Sequence, residues 1–464
     1  MAKFYLETFG CKFNKADSEL IRKILIENGF KEASEKEADF VVLNTCGVVE
    51  KTERKIIKRA IELKKKGENA KRSERDAKRP KKIIFAGCLP LISPKVCQKV
   101  ADGLIGPTNI LNLPKIVKKV LKGGNAKRSE KDAKRPEKAK SLKQKPIDKA
   151  KLRCFAIPKE TVVAIVPISE GCLSFCAYCA TRLAKGKLRS FNKEEILENI
   201  KLALKSGAKE IQLTSQDLAI YGLDYNPPTT LPPFRRAPRG KFLLPELLKE
   251  ISKIEGDFRV RLGMMNPKFA KKIFGKILKI LENEKFYKFL HLPLESGSNN
   301  VLKAMNRGYR VEEFLEMVSK FKRKFKNSLL ATDVIVGFPT ETEKDFKETV
   351  SIIKKIKPEI LHIFRYSKRE GTEAAKLKDF PDRIKKERSR ILTKIWKEIS
   401  REKSKKYLGK EFRALITEKR GNTFLARLPS YKAVILKEGN LGEFVKVKIV
   451  GAKPNYLIGK ICKG

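Results

Sequence analysis

From residue 161 to residue 364 one pattern recurs six times: a short apolar run followed by a stretch of helical periodicity. The runs fall at 162–168, 210–213, 258–262, 289–292, 329–335 and 360–364. Continuous apolar runs suit parallel strands buried on both faces, and each return to the same edge needs a crossover helix. Six repeats predict an open (β/α)6 barrel of the TIM type, with its chemistry at the C-terminal ends of the strands.

Just past the first of these runs lies Gly171-Cys172-Leu173-Ser174-Phe175-Cys176-Ala177-Tyr178-Cys179. Three thiolates on one tight loop can hold three irons of a [4Fe-4S] cluster and leave the fourth open. An open iron can bind the amino and carboxylate groups of S-adenosylmethionine and pass it one electron. Reductive cleavage then yields a 5′-deoxyadenosyl radical, so Cys172, Cys176 and Cys179 are the candidate catalytic ligands. A structural zinc loop is the competing reading. It wants a fourth ligand at matching spacing, and neither a second C-x2-C nor a nearby histidine is present.

The first third of the chain has the same βα rhythm. Apolar runs at 4–6, 40–43 and 83–86 end at Gly10-Cys11, Asn44-Thr45-Cys46 and Gly87-Cys88. In a parallel sheet the C-terminal strand ends share one edge, where ligands bind, so the fold could gather these three thiols. Beyond residue 406 the pattern shortens to alternating runs at 411–417, 423–428, 433–436, 443–449 and 456–461. Such runs predict a small antiparallel barrel, a type often used to hold nucleic acid.

Charge narrows the choice of partner. Lys and Arg number 105 against 54 Asp and Glu, a formal net charge of +51. A polyanion is the natural partner for that excess, and a Lys-rich surface serving solubility is the bland alternative. No secretory signal and no run long enough to span a bilayer is visible, which points to a cytoplasmic protein with no membrane partner. Nine cysteines in such a setting suggest metal or redox use rather than disulfides. With only His291 and His362 present, most histidine-based acid–base schemes are improbable, and His291 is given no catalytic role. A twelve-residue basic segment at 69–80 recurs at 125–136 with one substitution, and reads as a tolerated surface insertion rather than an RNA-binding arm. Cys97, Cys154 and Cys462 match no cluster motif.

These motifs together resemble the radical S-adenosylmethionine methylthiotransferases, essentially end to end. The N-terminal signatures are Thr8 to Asn14 with Ala16 to Glu19, Asn44-Thr45-Cys46 and Ala86 to Pro90. Those within the barrel are Glu210 to Asp217 with Tyr221-Gly222, His291 to Ser298, Asp333 to Glu343 and Phe364 to Thr372. The resemblance implies that Cys11, Cys46 and Cys88 bind a second [4Fe-4S] cluster. It also implies S-adenosylmethionine contacts at Tyr178, Ser215, Gln216, Glu295, Ser296 and Gly337, with Tyr178 packing on adenine. Glu295 stands where most members carry Gln, Leu91 where Gln is usual and Thr340 where Gly is common.

The implied layout has a Rossmann- or flavodoxin-like domain at 1–122, with a charged insertion at 64–82, and a basic linker at 123–152. A radical barrel at 153–400 and an OB-like barrel similar to the RNA-binding TRAM module at 401–464 complete it. The reaction implied replaces a hydrogen on adenine carbon 2, which is neither acidic nor electrophilic enough for ordinary substitution, so a radical is needed. A single-stranded anticodon loop of tRNA presents such a base, and an electron-donor protein is a further implied partner. Segments 182–188, 213–217 with 221–222, and 262–267 look most like the subgroup acting on N6-threonylcarbamoyladenosine at tRNA position 37. The competing subgroups act on isopentenyladenosine or on a ribosomal-protein aspartate; a non-catalytic iron-sulfur RNA sensor is the alternative of another class. Oligomeric state is not legible.

Overall fold

Two apolar strands, each buried on both faces, organise the N-terminal third. A computed structural model describes residues 1–69, 81–123, 160–224 and 240–462. The chain divides into two units, of which the first comprises 1–156, 179–187 and 369–372 and the second the remainder. The first unit is built on five parallel strands: β1 (Lys3–Thr8), β2 (Lys31–Glu32), β3 (Phe40–Thr45), β4 (Lys82–Gly87) and β5 (Gly103–Ile105). Their order is β2-β1-β3-β4-β5, the flavodoxin-like variant of a doubly wound sheet. Period-two alternation along β3 sends Phe40 and Val42 to one face, against Leu20, Ile21 and Val117. Val41 and Leu43 go to the other, against Ile56, Ala60 and Leu63. Cys97 packs into that second core, consistent with an incidental cysteine.

In this order the chain reverses direction of sheet growth between β1 and β3. Ligands bind at such a switch point, beyond the carboxyl ends of the strands. Cys11 follows β1, Cys46 follows β3 and Cys88 follows β4.

The second unit holds the six expected barrel strands, β6 (Val163–Pro167), β9 (Glu210–Thr214), β10 (Arg259–Leu262), β11 (Phe289–His291), β12 (Leu329–Val336) and β13 (Ile360–Arg365). A short antiparallel pair, β7 (Ser169–Glu170) and β8 (Arg189–Ser190), lies between the first two in sequence. The six pair in parallel as β6-β9-β10 and β11-β12-β13, and a parallel bridge from Val260 to Phe286 joins the two sets in chain order. Five C-terminal strands, β14 (Glu411–Arg420), β15 (Thr423–Arg427), β16 (Ala433–Leu436), β17 (Phe444–Ala452) and β18 (Leu457–Ile461), close as β14-β15-β16-β18-β17.

The small C-terminal barrel falls in the same compact unit as the six strands and is seated on their N-terminal ends. Backbone bonds run from Val162 N–H to the Thr417 carbonyl (3.1 Å) and from Lys288 N–H to the Pro429 carbonyl (2.8 Å). Tyr431, held at φ 71°, packs with Tyr287, Phe289, Leu329 and Ala331. Its hydroxyl accepts a bond from Gln212 Nε2 (3.1 Å), and Arg261 and Arg427 lie over its ring. It therefore floors the lumen.

Among the described residues no helix is long and apolar enough to cross a membrane. The duplicated basic segment (Asn69 apart), nearly all of the linker and Cys154 lie outside the described residues.

Candidate functional site

In the first unit, a polar lattice orders the loops that carry the cysteines. Asn14 Nδ2 donates to the Thr45 carbonyl (3.0 Å), and Asn44 Nδ2 donates to the Asn14 carbonyl (2.7 Å) and to Ser18 Oγ (2.8 Å). Thr45 Oγ1 donates to the Ala86 carbonyl (2.6 Å), and Cys88 N–H to the Thr45 carbonyl (3.0 Å). The motif residues flanking the cysteines thus tie the ends of β1, β3 and β4 together. Cys11 Sγ lies 3.3 Å from Asn14 Oδ1. Gly10 has φ 119°, and a Cβ there would sit 2.7 Å from the Cys46 Cβ, so only glycine lets the first loop approach the second.

The three thiols are close enough to repel one another as thiolates. Burial pushes the Cys88 thiol up to about 12, against the pull of Lys185. Burial also raises Cys46, with Arg369 working the other way. Lys185 is buried, 3.0 Å from Asp17 and over the Phe13 ring. Arg369 is buried against Glu53, yet its Nε and Nη2 have no hydrogen-bond partner among the described residues. Three clustered thiols, two of them raised by burial, beside two buried cations, one with orphaned donors, fit an anionic iron-sulfur centre better than free cysteines.

In the second unit, the loop carrying Cys172 and Cys176 is held by the turn at 305–307. Ala177 N–H donates to the Met305 carbonyl (2.9 Å), and Asn306 Nδ2 to the Phe175 carbonyl (2.9 Å). Arg307 Nη1 donates to Cys176 Sγ (3.2 Å), and the Ser174 N–H to Cys172 Sγ (3.3 Å). Arg307 is buried, and its Nε and Nη2 have no hydrogen-bond partner among the described residues, again a cationic donor set suited to an anionic centre. Cys179 is grouped with the first unit.

Matches to known families fall in each of the three parts of this layout. Residues 3–105 match the family described as "Uncharacterized protein family UPF0004", residues 166–353 the "Radical SAM superfamily" and residues 405–462 the "TRAM domain". A protein of Archaeoglobus fulgidus named "Probable threonylcarbamoyladenosine tRNA methylthiotransferase" is 42% identical over 98% of both chains. One of Pyrococcus horikoshii with the same name is 39% identical over 99% of this chain and 100% of its own. The chain belongs to the radical S-adenosylmethionine methylthiotransferases.

A further member of this family, the Aquifex aeolicus protein named "tRNA-2-methylthio-N(6)-dimethylallyladenosine synthase", is 33% identical over 99% of this chain and 98% of its own. Among solved structures, the radical S-adenosylmethionine methyltransferase TsrM of Kitasatospora setae superposes with a TM-score of 0.53. It is 11% identical over 81% of this chain and 75% of that one, a likeness of fold alone. Membership of the radical superfamily implies a [4Fe-4S] cluster and S-adenosylmethionine for this methylthiotransferase.

The remaining expected contacts fall in several places. Tyr178 bonds to Glu295, whose backbone is left-handed (φ 64°) and whose Oε1 is 3.8 Å from Arg307 Nη2. Burial raises the Glu295 carboxyl to about 7, with Arg307 pulling down. Gln216 Oε1 accepts from Gly171 N–H (2.6 Å), and Ser215 Oγ accepts from Asp217 N–H (3.0 Å). Gly337 (φ 70°) donates its N–H to Glu341 (2.6 Å), and a Cβ there would collide with Lys385. Ser296 is fully buried, its hydroxyl beside that of Thr349 (3.4 Å).

Sequence reasoning missed Lys185, Arg307 and Arg369 as partners of the cysteines. It also missed that His291, Asp333 and His362 converge. Lys185 and Arg369 fall inside quoted segments, which does not single them out, and Arg307 falls in none.

Proposed function

We propose that this methylthiotransferase acts on tRNA, converting N6-threonylcarbamoyladenosine at position 37 to its 2-methylthio derivative. The observation that carries the substrate is the end-to-end similarity to archaeal relatives bearing that name, together with the match to a TRAM domain. Cys172, Cys176 and Cys179 would hold the radical cluster, and Cys11, Cys46 and Cys88 a second [4Fe-4S] cluster. When bound, the two clusters and S-adenosylmethionine supply a hydrogen-abstracting radical and the sulfur group to be transferred.

The protein's own residues do the holding and the charge balancing. Arg307 fixes the Cys176 sulfur by its hydrogen bond and offsets thiolate charge. Lys185 and Arg369 offset thiolate charge at Cys88 and Cys46 through space. Tyr178, Ser215, Gln216, Glu295, Ser296 and Gly337 would line or brace the cofactor site. Asp217 braces it too, accepting from the N–H groups of Ala219 and Asn266 (both 3.0 Å) and so fixing the loops after β9 and β10. The C-terminal barrel, 401–464, would bind the anticodon arm, and the enzyme would work in the cytoplasm with an electron-donor protein.

The test is nucleoside mass spectrometry of tRNA after anaerobic incubation with reconstituted enzyme, dithionite and S-adenosylmethionine. Substrates carry threonylcarbamoyladenosine, isopentenyladenosine or plain adenosine at position 37. A methylthio product on the first alone is expected. Product on the isopentenyl tRNA instead would reassign the nucleoside. None on any tRNA, with intact clusters and cofactor cleavage, would move the target to a ribosomal-protein aspartate. Absence of cofactor cleavage with tRNA still bound would favour a sensor.

A further inference from the structure

The two histidines of this chain, its only ones, meet at a single carboxylate. His291 ends β11, Asp333 lies in β12 and His362 in β13, three adjacent parallel strands. Asp333 and His362 are paired in register. His291 Nε2 is 3.0 Å from both Asp333 oxygens, and His362 Nδ1 is 2.6 Å from Asp333 Oδ1. One ligand atom from each residue lies within 4.8 Å of the others.

Strand alternation tells which way these side chains point. Leu329 and Ala331, four and two residues before Asp333, pack with Phe289, Ile360 and Tyr431 in the lumen floor. Phe289 and Ile360 are likewise two residues before His291 and His362. The triad is therefore the next layer up in the lumen. Both imidazoles help hold Asp333 ionised: burial alone would raise its carboxyl, and the two rings outweigh burial to keep it well below the usual range. No Lys or Arg is within ion-pair distance of Asp333 among the described residues, and Glu295 adds a second carboxyl to the local field. Asp333 and His291 are about 15% exposed, whereas His362 is 47% exposed, so the site has an approach.

We propose that His291, Asp333 and His362 form a binding site for one first-row divalent transition-metal ion inside the barrel, separate from both cysteine sets. Two imidazoles and one carboxylate on one face are a donor set that Zn2+ or Fe2+ accepts, leaving positions open for water or another oxygen or nitrogen donor. Mg2+ and Ca2+, which prefer all-oxygen shells, fit it poorly. A bound dication would also bring positive charge to a buried carboxylate that no Lys or Arg pairs with among the described residues.

Zinc is the probe, because the clusters contain iron and the zinc absorption edge reports only added zinc. Untagged enzyme with both clusters reconstituted is dialysed anaerobically against buffered Zn2+, then measured for bound zinc and by zinc-edge X-ray absorption. About one zinc per chain is expected, with nitrogen and oxygen neighbours, imidazole scattering and no sulfur. His362→Gln and Asp333→Asn should each weaken binding about tenfold or more, with cluster absorbance and circular dichroism unchanged. His362 is half exposed, so its variant tests the site without a buried change. No bound zinc, sulfur-ligated zinc, or equal retention by the His362→Gln protein would each overturn the proposal.

Discussion

Replacing Glu295 by Gln should stabilise the cluster-free protein in a pH-dependent way. The Glu295 carboxyl is buried and raised to about 7, against an ordinary value of 4.5. Between those values the folded state holds a proton that the unfolded state has released, so wild-type stability falls as pH rises through that window. At about 1.4 kcal/mol per pH unit, the full loss is about 3 kcal/mol by pH 8. Gln has no such proton to lose. The variant's advantage should therefore grow from under about 1 kcal/mol at pH 5 to about 3 kcal/mol at pH 8. Calorimetry should show this as a rise on the order of 5–10 °C in the transition of the second unit at pH 8. An advantage equal at both pH values, or a wild type more stable at pH 8, would refute burial as the force acting on Glu295.

Three other outcomes are expected. Lys185→Met removes the buried cation 3.0 Å from the buried Asp17 carboxylate, and should cost about 3–5 kcal/mol in denaturant unfolding of the cluster-free chain, most of it recovered by adding Asp17→Leu. Tyr431→Ala should cost about 3–5 kcal/mol by the same measurement, and Tyr431→Phe only about 1 kcal/mol, because the ring fills space while the hydroxyl makes one bond to Gln212. In filter binding, tRNA affinity should fall steeply between 50 and 200 mM salt, and Cys176→Ala should keep that affinity while losing S-adenosylmethionine cleavage; a flat salt dependence would contradict the electrostatic reading of the +51 charge.

Much of the fold could be read directly because strands buried on both faces cannot hide. The runs at 40–43 and 83–86 are apolar throughout, and each ends in the cysteine that the sheet edge then presents. The barrel strands were equally plain, down to β12 and β13. What could not be read is what depends on meeting a distant segment. Lys185 is 168 residues from Asp17, and Arg307 is 131 from Cys176. Nothing local distinguishes either from the chain's other cations. His291 looked like an ordinary packed histidine because its partners are 42 residues or more away. Tyr431 sits in a hairpin whose sequence shows only an aromatic residue after a Pro-Ser pair. The merger of small barrel and large barrel into one unit hangs on that residue and its neighbours.

Tyr431 also bears on how the chain can be dissected. A tethered RNA-binding module could be cut away to leave a working catalytic core, or exchanged for a different one. Here the removable piece is also the stopper of the vessel. Trimming it would remove Tyr431 from beside Gln212, Tyr287 and Phe289, and open the lumen to water from below. A shortened enzyme would thus fail for reasons unrelated to RNA, and a swapped module would need its own aromatic plug.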